Sequence, residues 1–213
     1  MKHEWRKHDK TVYLPKQEPT IINIPPMNYI TIEGIGNPNS DEFANCVQAL
    51  YYLSYPIKMK SKKVNIQSEI QDYTVFPLEG HWSLSDDGIS LYSQGLPVTD
   101  LKDHLTYKLM IRQPDFITKE FFEEIKKVVS NKTNSSHVSK TKFETIEEGL
   151  SCQMLHIGSF DTEPESFKRM EEYCLNNNFE RVSKNHKEIY LSDPRKVEED
   201  RLKTTLRFKI EKR

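Results

Sequence analysis

The apolar positions of this chain fall into short strand-like runs and longer helical stripes, in an order that occurs twice. Ile21, Ile22 and Ile24 make a brief strand that Pro25-Pro26 stops, and Tyr29 to Ile35 makes a second, ending among Gly34, Gly36 and Pro38. Ser40 then offers an N-cap, after which Phe43, Cys46, Val47, Leu50 and Tyr51 recur at helical spacing as far as Pro56. Tyr73 to Leu78 and Tyr107 to Ile111 are strand-like again, with Asp86-Asp87-Gly88 and Gly95-Leu96-Pro97 as turn signals between them. Thr118 caps a further amphipathic stretch, in which Phe121, Phe122, Ile125, Val128 and Val129 share a face. The first 20 residues read as an extended arm, since Pro15 disfavours helix at Leu14. Ser130 to Lys142 is polar and aperiodic and reads as a linker.

From Phe143 the pattern begins again. Ile24 and Ile146 each close a short strand, and Gly36 and Gly158 each end the next one; both pairs lie 122 positions apart (146 less 24, 158 less 36). A helix follows in both halves. In the second, Thr162-x-x-Glu165 has the form of a capping box, Pro164 suits the first turn, and Phe167, Met170 and Cys174 form the apolar stripe. Two strands then finish the half, Lys187 to Leu191 and Thr204 to Ile210. The expected fold is therefore α+β: one domain over 1–213, with internal repeats at about 20–115 and 142–211 joined by a helix and polar linker at 116–141. Helices would cover one face of antiparallel sheets related by a pseudo-twofold axis, leaving the other faces to form a central groove.

Strand alternation nominates the groove residues. In the second half Leu155, Ile157, Ile189, Leu191, Leu206, Phe208 and Ile210 are read as the face beneath the helix, which leaves Met154, His156, Glu188, Tyr190, Thr205 and Arg207 on the other. In the first half Trp82 stands just past the expected strand end, after Glu79, with Tyr107, Met110 and Arg112 on the partner strand. A carboxylate among rings suits flat, apolar and often cationic ligands, and is placed to act as a general base.

Composition narrows the function classes. With 31 basic and 32 acidic residues, net charge is −1, so there is no general attraction to nucleic acid or anionic membrane. No apolar run is long enough to span a bilayer, and the N-terminus lacks the apolar core of a signal peptide, so a cytoplasmic protein is expected. Cys46, Cys152 and Cys174 are widely spaced and read as buried thiols, and neither a metal site nor a cofactor is expected. The basic run Lys58-Met59-Lys60-Ser61-Lys62-Lys63 reads as a solvated helix end or loop. Nucleophile elbows, Walker loops and dinucleotide fingerprints are missing from the sequence.

Several segments taken together resemble the GyrI-like small-molecule-binding family, which includes effector-binding domains of AraC-type and MerR-type regulators. They are Tyr13-Leu14-Pro15-Lys16, Ile24-Pro25-x-Met27-x-Tyr29, Gly34-x-Gly36-Asn37-Pro38-Asn39, Pro77-Leu78-Glu79-Gly80-x-Trp82 and Lys108-Leu109-Met110-Ile111-Arg112-Gln113-Pro114. The second half adds Glu148-Gly149, His156-x-Gly158-Ser159-Phe160, Glu188-Ile189-Tyr190-Leu191-Ser192-Asp193-Pro194 and Lys203-Thr204-x-Leu206-Arg207. The resemblance is closest to stand-alone members, and the expected absence of a preceding helix-turn-helix domain disfavours a transcription factor. It implies paired β-α-β-β modules of the SHS2 type around a cleft for lipophilic, often cationic drugs, with Glu188 at the centre. It further implies hydrolysis of cyclopropane-bearing, DNA-alkylating compounds, with Glu188 as base and Tyr190 or Tyr107 assisting. Trp82, Glu79, Met110, Arg112, Met154, His156, Phe160 and Tyr55 are the candidate ligand contacts. The alternative is a non-catalytic module that sequesters drugs or, like a gyrase inhibitor, binds a protein.

Overall fold

The computed structural model describes residues 2–63, 72–133 and 135–213. The N-terminal segment contains β1 (Lys2–His3), α1 (Trp5–His8) and α2 (Lys10–Tyr13). The first half continues with β2 (Thr20–Ile24), β3 (Met27–Ile35), α3 (Asp41–Ser61), β4 (Asp72–Tyr73), β5 (Leu78–Leu84), α4 (Asp86–Ser93) and β6 (Leu105–Gln113). Next come α5 (Lys119–Thr133), α6 (Ser136–Lys140), β7 (Lys142–Ile146), β8 (Gly149–Ile157) and α7 (Glu163–Asn176). The chain closes with β9 (Phe179–Arg181), β10 (His186–Tyr190) and β11 (Lys203–Lys212).

One antiparallel sheet organises the molecule, in the order β2-β8-β11-β10-β5-β6-β3-β7, with β9 added beside the end of β11. The halves meet where β10 pairs with β5. Each half lends its first strand to the other: β2 pairs with β8, and β7 pairs with β3. The strands on either side of Pro25-Pro26, β2 and β3, therefore do not pair with each other. Pro25 and Pro26 lack the N–H groups that would close a hairpin, and the chain crosses to the far half instead.

Helices α3 and α7 lie on one side of the sheet. In α3 the Ser40 hydroxyl accepts from the Phe43 N–H at 3.2 Å, and Cys46, Ala49, Leu50, Leu53 and Ile57 form the buried stripe. Such a cap stabilises a helix by about 1 kcal/mol, and each buried leucine contributes roughly 1.5–3 kcal/mol. That stripe explains why α3 runs through Pro56, where the sequence predicts a stop: Ile57 and Ser61 beyond it remain buried. In α7, Met170 and Cys174 pack on Cys152, Met154, Leu206, Phe208 and Ile210.

Several local expectations change. The N-terminal arm forms two short helices because Trp5 and Tyr13 are buried against the core. Asp86-Asp87-Gly88 is the first turn of α4, capped by Ser85, and the supposed linker holds the end of α5 and the short α6; Asn134 within it lies outside the described residues. The main strand of the Pro77 region starts at Leu78, so Trp82 is inside β5. Thr162 does not close a capping box; its hydroxyl donates to the Ser159 carbonyl at 2.8 Å. All three cysteines are free and buried. No helix among the described residues is long and apolar enough to cross a membrane.

The register overturns the expected grouping of side chains. Leu206 lies directly opposite Met154 on one neighbour and Glu188 on the other, so these three share a face. That face is the one beneath the helices. Leu155, Ile189 and Arg207 point the other way. Parity within a single strand was read correctly, but parity does not fix which residues of separate strands meet.

Candidate functional site

The site sits at the middle of the sheet, under the space between α3 and α7. Alternation along β10 puts His186, Glu188 and Tyr190 on the helix-covered face. Across the β10–β5 ladder, Gly80 stands opposite Glu188 and Trp82 opposite His186. Gly80 needs no side chain there: a Cβ would fall 2.8 Å from Trp82 Nε1 and 3.1 Å from the Tyr190 hydroxyl. Trp82 Nε1 donates to that hydroxyl at 2.9 Å, which fixes both rings.

Aromatic side chains wall the cluster. Phe43, in the first turn of α3, stacks on Trp82 with ring centroids 5.8 Å apart, and Tyr107 meets both rings edge-on. Phe160, in the turn before α7, meets the edge of Tyr190 at 6.0 Å, and Phe167 of α7 meets His186 at 4.7 Å. The centre is nearly closed, with 9% exposure at Glu188 and 5% at Trp82, whereas Phe160 at the margin is 39% exposed.

The polar chemistry is concentrated in two carboxyl groups and an imidazole. His186 Nε2 lies 3.0 Å from Glu188 Oε1, and Glu163 enters from the first turn of α7. One ligand atom from each of Glu163, His186 and Glu188 falls within 4.8 Å of the others, a set that could hold a metal ion; Glu42 and Cys46 of α3 form a second such set with His137 of α6. Burial, with the adjacent Glu188 carboxylate, holds the Tyr190 hydroxyl protonated well above its ordinary range. It is a donor at neutral pH. Burial also raises Tyr107, whose hydroxyl is directed at Cys46 Sγ at 4.0 Å rather than at Glu188.

The sequence-nominated residues divide between two faces. Glu188, Tyr190, Tyr107, Trp82 and Phe160 come together as described. His156 shares their face but serves α7: Nδ1 lies 2.9 Å from Ser166 Oγ, and Nε2 lies 3.0 Å from the Ser159 carbonyl. Met154 is buried in the core beneath α7, and Tyr55 stands 55% exposed on α3, stacked on Tyr51. Glu79, Met110 and Arg112 point to the far face. There Glu79 accepts from Lys187, Met110 packs with Ile24, Met27 and Tyr29, and Arg112 pairs with Asp9. An open cavity of about 590 Å³ beside α7 is lined by His156, Ser159, Thr162 and Arg169, and not by Glu188.

Sequence reading missed His186, Glu163 and Phe43. Extending the i, i+2 rule back from Glu188 finds His186; Phe43 was assigned only to the core stripe; for Glu163, which arrives from another element, the sequence holds no signal.

Comparison with known proteins places this geometry. The profile of the GyrI-like small molecule binding domain matches residues 17–211. The chain belongs to the GyrI-like small-molecule-binding domain family. A structure of an uncharacterized conserved protein from Listeria innocua superposes on this GyrI-like chain with TM-score 0.86 and 32% identity, over 98% of this chain and 100% of the other. A hydrolase from Listeria innocua is similar at 32% identity and TM-score 0.84, with the same coverage. The C-terminal domain of EcmrR shares the fold at TM-score 0.51 and 12% identity, covering 95% of this chain and 99% of that domain. No curated protein matches the chain. In this domain Glu188 and its rings lie on the sheet face covered by α3 and α7.

Proposed function

We propose that this GyrI-like domain receives planar, lipophilic and often cationic compounds over Glu188 and hydrolyses those that carry an activated cyclopropane. The observation that carries the reading is the state of Glu188: a buried carboxylate walled by aromatic rings and paired, among the described residues, with no lysine or arginine. A buried charge without a fixed cation is matched to a ligand that supplies one, or to a proton taken during reaction. The similarity to a hydrolase from Listeria innocua supports the second use.

The chemistry balances without a cofactor. In a cyclopropane conjugated to a dienone, water attacks a cyclopropane carbon while the bond from that carbon to the carbon shared with the dienone ring breaks, and the electron pair of that bond moves through the dienone onto the carbonyl oxygen to form a phenolate. Glu188 takes the proton that water loses. Tyr190, a neutral donor oriented by Trp82, stabilises the oxygen on which charge develops. Trp82, Phe43 and Phe160 hold the flat ring system and exclude water.

The halves 20–115 and 142–211 are read as copies, and the ladders support that. If Gly34 and His156 correspond, at the spacing of Ile24 to Ile146, their partners Tyr107 and Thr204 correspond, and so in turn do Trp82 and Tyr190. Gly80 and Glu188 then correspond too, and they face each other across β5 and β10. The site falls on the axis between the copies, where one carries the carboxylate and the other leaves room for it.

The test is incubation of the protein with a cyclopropanoid alkylating agent, followed by mass spectrometry of the ligand. Gain of one water marks a hydrolase. Saturable binding with unchanged mass marks a sequestering module, and absence of binding removes the proposal.

A further inference from the structure

Three side chains of different donor chemistry converge where α6 packs on the start of α3. Glu42 and Cys46 stand one turn apart on α3, at the i, i+4 spacing that aligns two side chains on one helix face, and His137 of α6 meets them from outside. His137 Nε2 lies 2.9 Å from Glu42 Oε2, and Cys46 Sγ is within 4.8 Å of both. Around a tetrahedral Zn2+, with bonds of about 2.0 Å to nitrogen and oxygen and about 2.3 Å to sulfur, donor atoms stand about 3.3–3.6 Å apart. The observed separations bracket that spacing, so shifts of about 1 Å or less per side chain would close all three on one ion.

The surroundings suit such an ion. Cys46 is buried, and its sulfur accepts from the Tyr107 hydroxyl at 4.0 Å, a contact that supports a thiolate. Glu42 and His137 lie nearer the surface, on the side from which an ion would enter. Lys140 approaches the other Glu42 oxygen, Oε1, at 3.5 Å from a solvent-exposed side chain, and it gives up part of that pairing when a cation arrives. An ion pair explains Glu42 and His137 but gives the sulfur beside them no part.

We propose that Glu42, Cys46 and His137 bind one Zn2+, with water as the fourth ligand, and that the ion ties α6 to the start of α3. Sulfur, imidazole and carboxylate together select a borderline transition ion over Mg2+ or Ca2+, which take oxygen donors. The ion replaces the Cys46 thiol proton, which passes to solvent. Tyr107 keeps its donation to the sulfur, and because it also meets Phe43 and Trp82 edge-on, the ion braces the first-half wall of the Glu188 face through that ring. It takes no part in the hydrolysis proposed above, and the site stands whether or not that reading does.

The test is titration of the full chain with Co2+ after stripping with EDTA and removal of the chelator. Co2+ accepts the same donors and reports bound sulfur by a thiolate-to-cobalt charge-transfer band in the near ultraviolet. One equivalent should bind saturably with that band, and Zn2+ should displace it. Cys46→Ser should abolish the band, whereas Cys174→Ser, which removes a thiol from the core beneath α7, should keep it. Because Cys46 belongs to the buried stripe of α3, His137→Ala supplies a variant nearer the surface: cobalt affinity should fall about tenfold or more with circular dichroism unchanged. Zn2+ should also raise the urea midpoint of the unmodified protein and leave that of His137→Ala unmoved. No saturable binding, a band that persists in Cys46→Ser, or an equal rise in both midpoints overturns the proposal. One equivalent of cobalt bound without the band does the same and assigns the ion to Glu163, His186 and Glu188, which offer no sulfur.

Discussion

Lys187 and Glu188 are neighbours in β10, yet they point to opposite faces of the sheet and meet opposite surroundings. On the far face Lys187 donates to Glu79 at 2.8 Å and to Glu148 at 2.7 Å, and Arg207 closes the set by donating to Glu148 at 3.1 Å and to Gln153 at 2.8 Å. The N-terminal segment seals it: Arg207 donates to the Val12 carbonyl, Thr205 to that of Tyr13, and Gln153 to that of Thr11. Burial alone would raise the Glu148 carboxyl, but Lys187 and Arg207 overcome it and hold the group down at about 2. On the helix face Glu188 and Glu163 have rings, an imidazole and each other. One face neutralises its buried charge internally, and the other leaves it open to a ligand or a proton. That contrast, rather than burial, is what the proposed function rests on, since both clusters are buried.

The largest effect should come from breaking the paired face. Lys187→Met leaves Glu79 and Glu148 short of their shared cation and should cost about 3–5 kcal/mol of unfolding free energy in urea. A loss below about 1 kcal/mol would deny that face its structural role. Acid titration addresses the same cluster. Because the folded Glu148 carboxyl is depressed from 4.5 to about 2, its contribution is present above pH 4.5 and is lost as pH falls toward 2. The loss is roughly 3 kcal/mol, readable as a falling midpoint in urea.

Glu188→Gln should behave in the reverse way, leaving stability almost unchanged while turnover falls about a hundredfold or more. If Glu188 only anchors a cation, affinity for cationic dyes falls by about 1–3 kcal/mol and neutral ligands scarcely respond. Gly80→Ala pushes a methyl group against Trp82 Nε1 and the Tyr190 oxygen, and should cost about 1–3 kcal/mol in stability, with loss of the tryptophan fluorescence signature of that hydrogen bond. The smallest effect should come from Met110→Leu on the far face, which should cost less than about 1.5 kcal/mol and leave dye affinity unchanged. A large affinity loss there would place the ligand on the wrong side of the sheet.

How far the sequence was legible follows from which interactions are local. Ser40 and the stripe from Phe43 to Tyr51 make α3 legible as far as Pro56, and the Ile24/Ile146 and Gly36/Gly158 spacing is the signal on which the proposed repeat rests. Glu188, Tyr190 and Trp82 could be nominated because alternation and composition place a carboxylate among rings. What could not be read was the pairing between strands. Met154 and Glu79 were nominated beside Glu188, and the ladders put Met154 under α7 and Glu79 on the far face with Lys187. Glu163 comes near Glu188 only because the start of α7 is brought beside β10, a tertiary fact that leaves no trace in local pattern.

The most direct measurement of the account is a crystal structure of the protein with a planar cationic dye that binds saturably in solution. The dye should lie on the helix face with its rings against Trp82 and Tyr190 and its cationic centre toward Glu188, and the Lys187–Glu148–Arg207 cluster should be unchanged. A dye seated on the far face, or in the cavity beside Arg169 with Glu188 untouched, would contradict it.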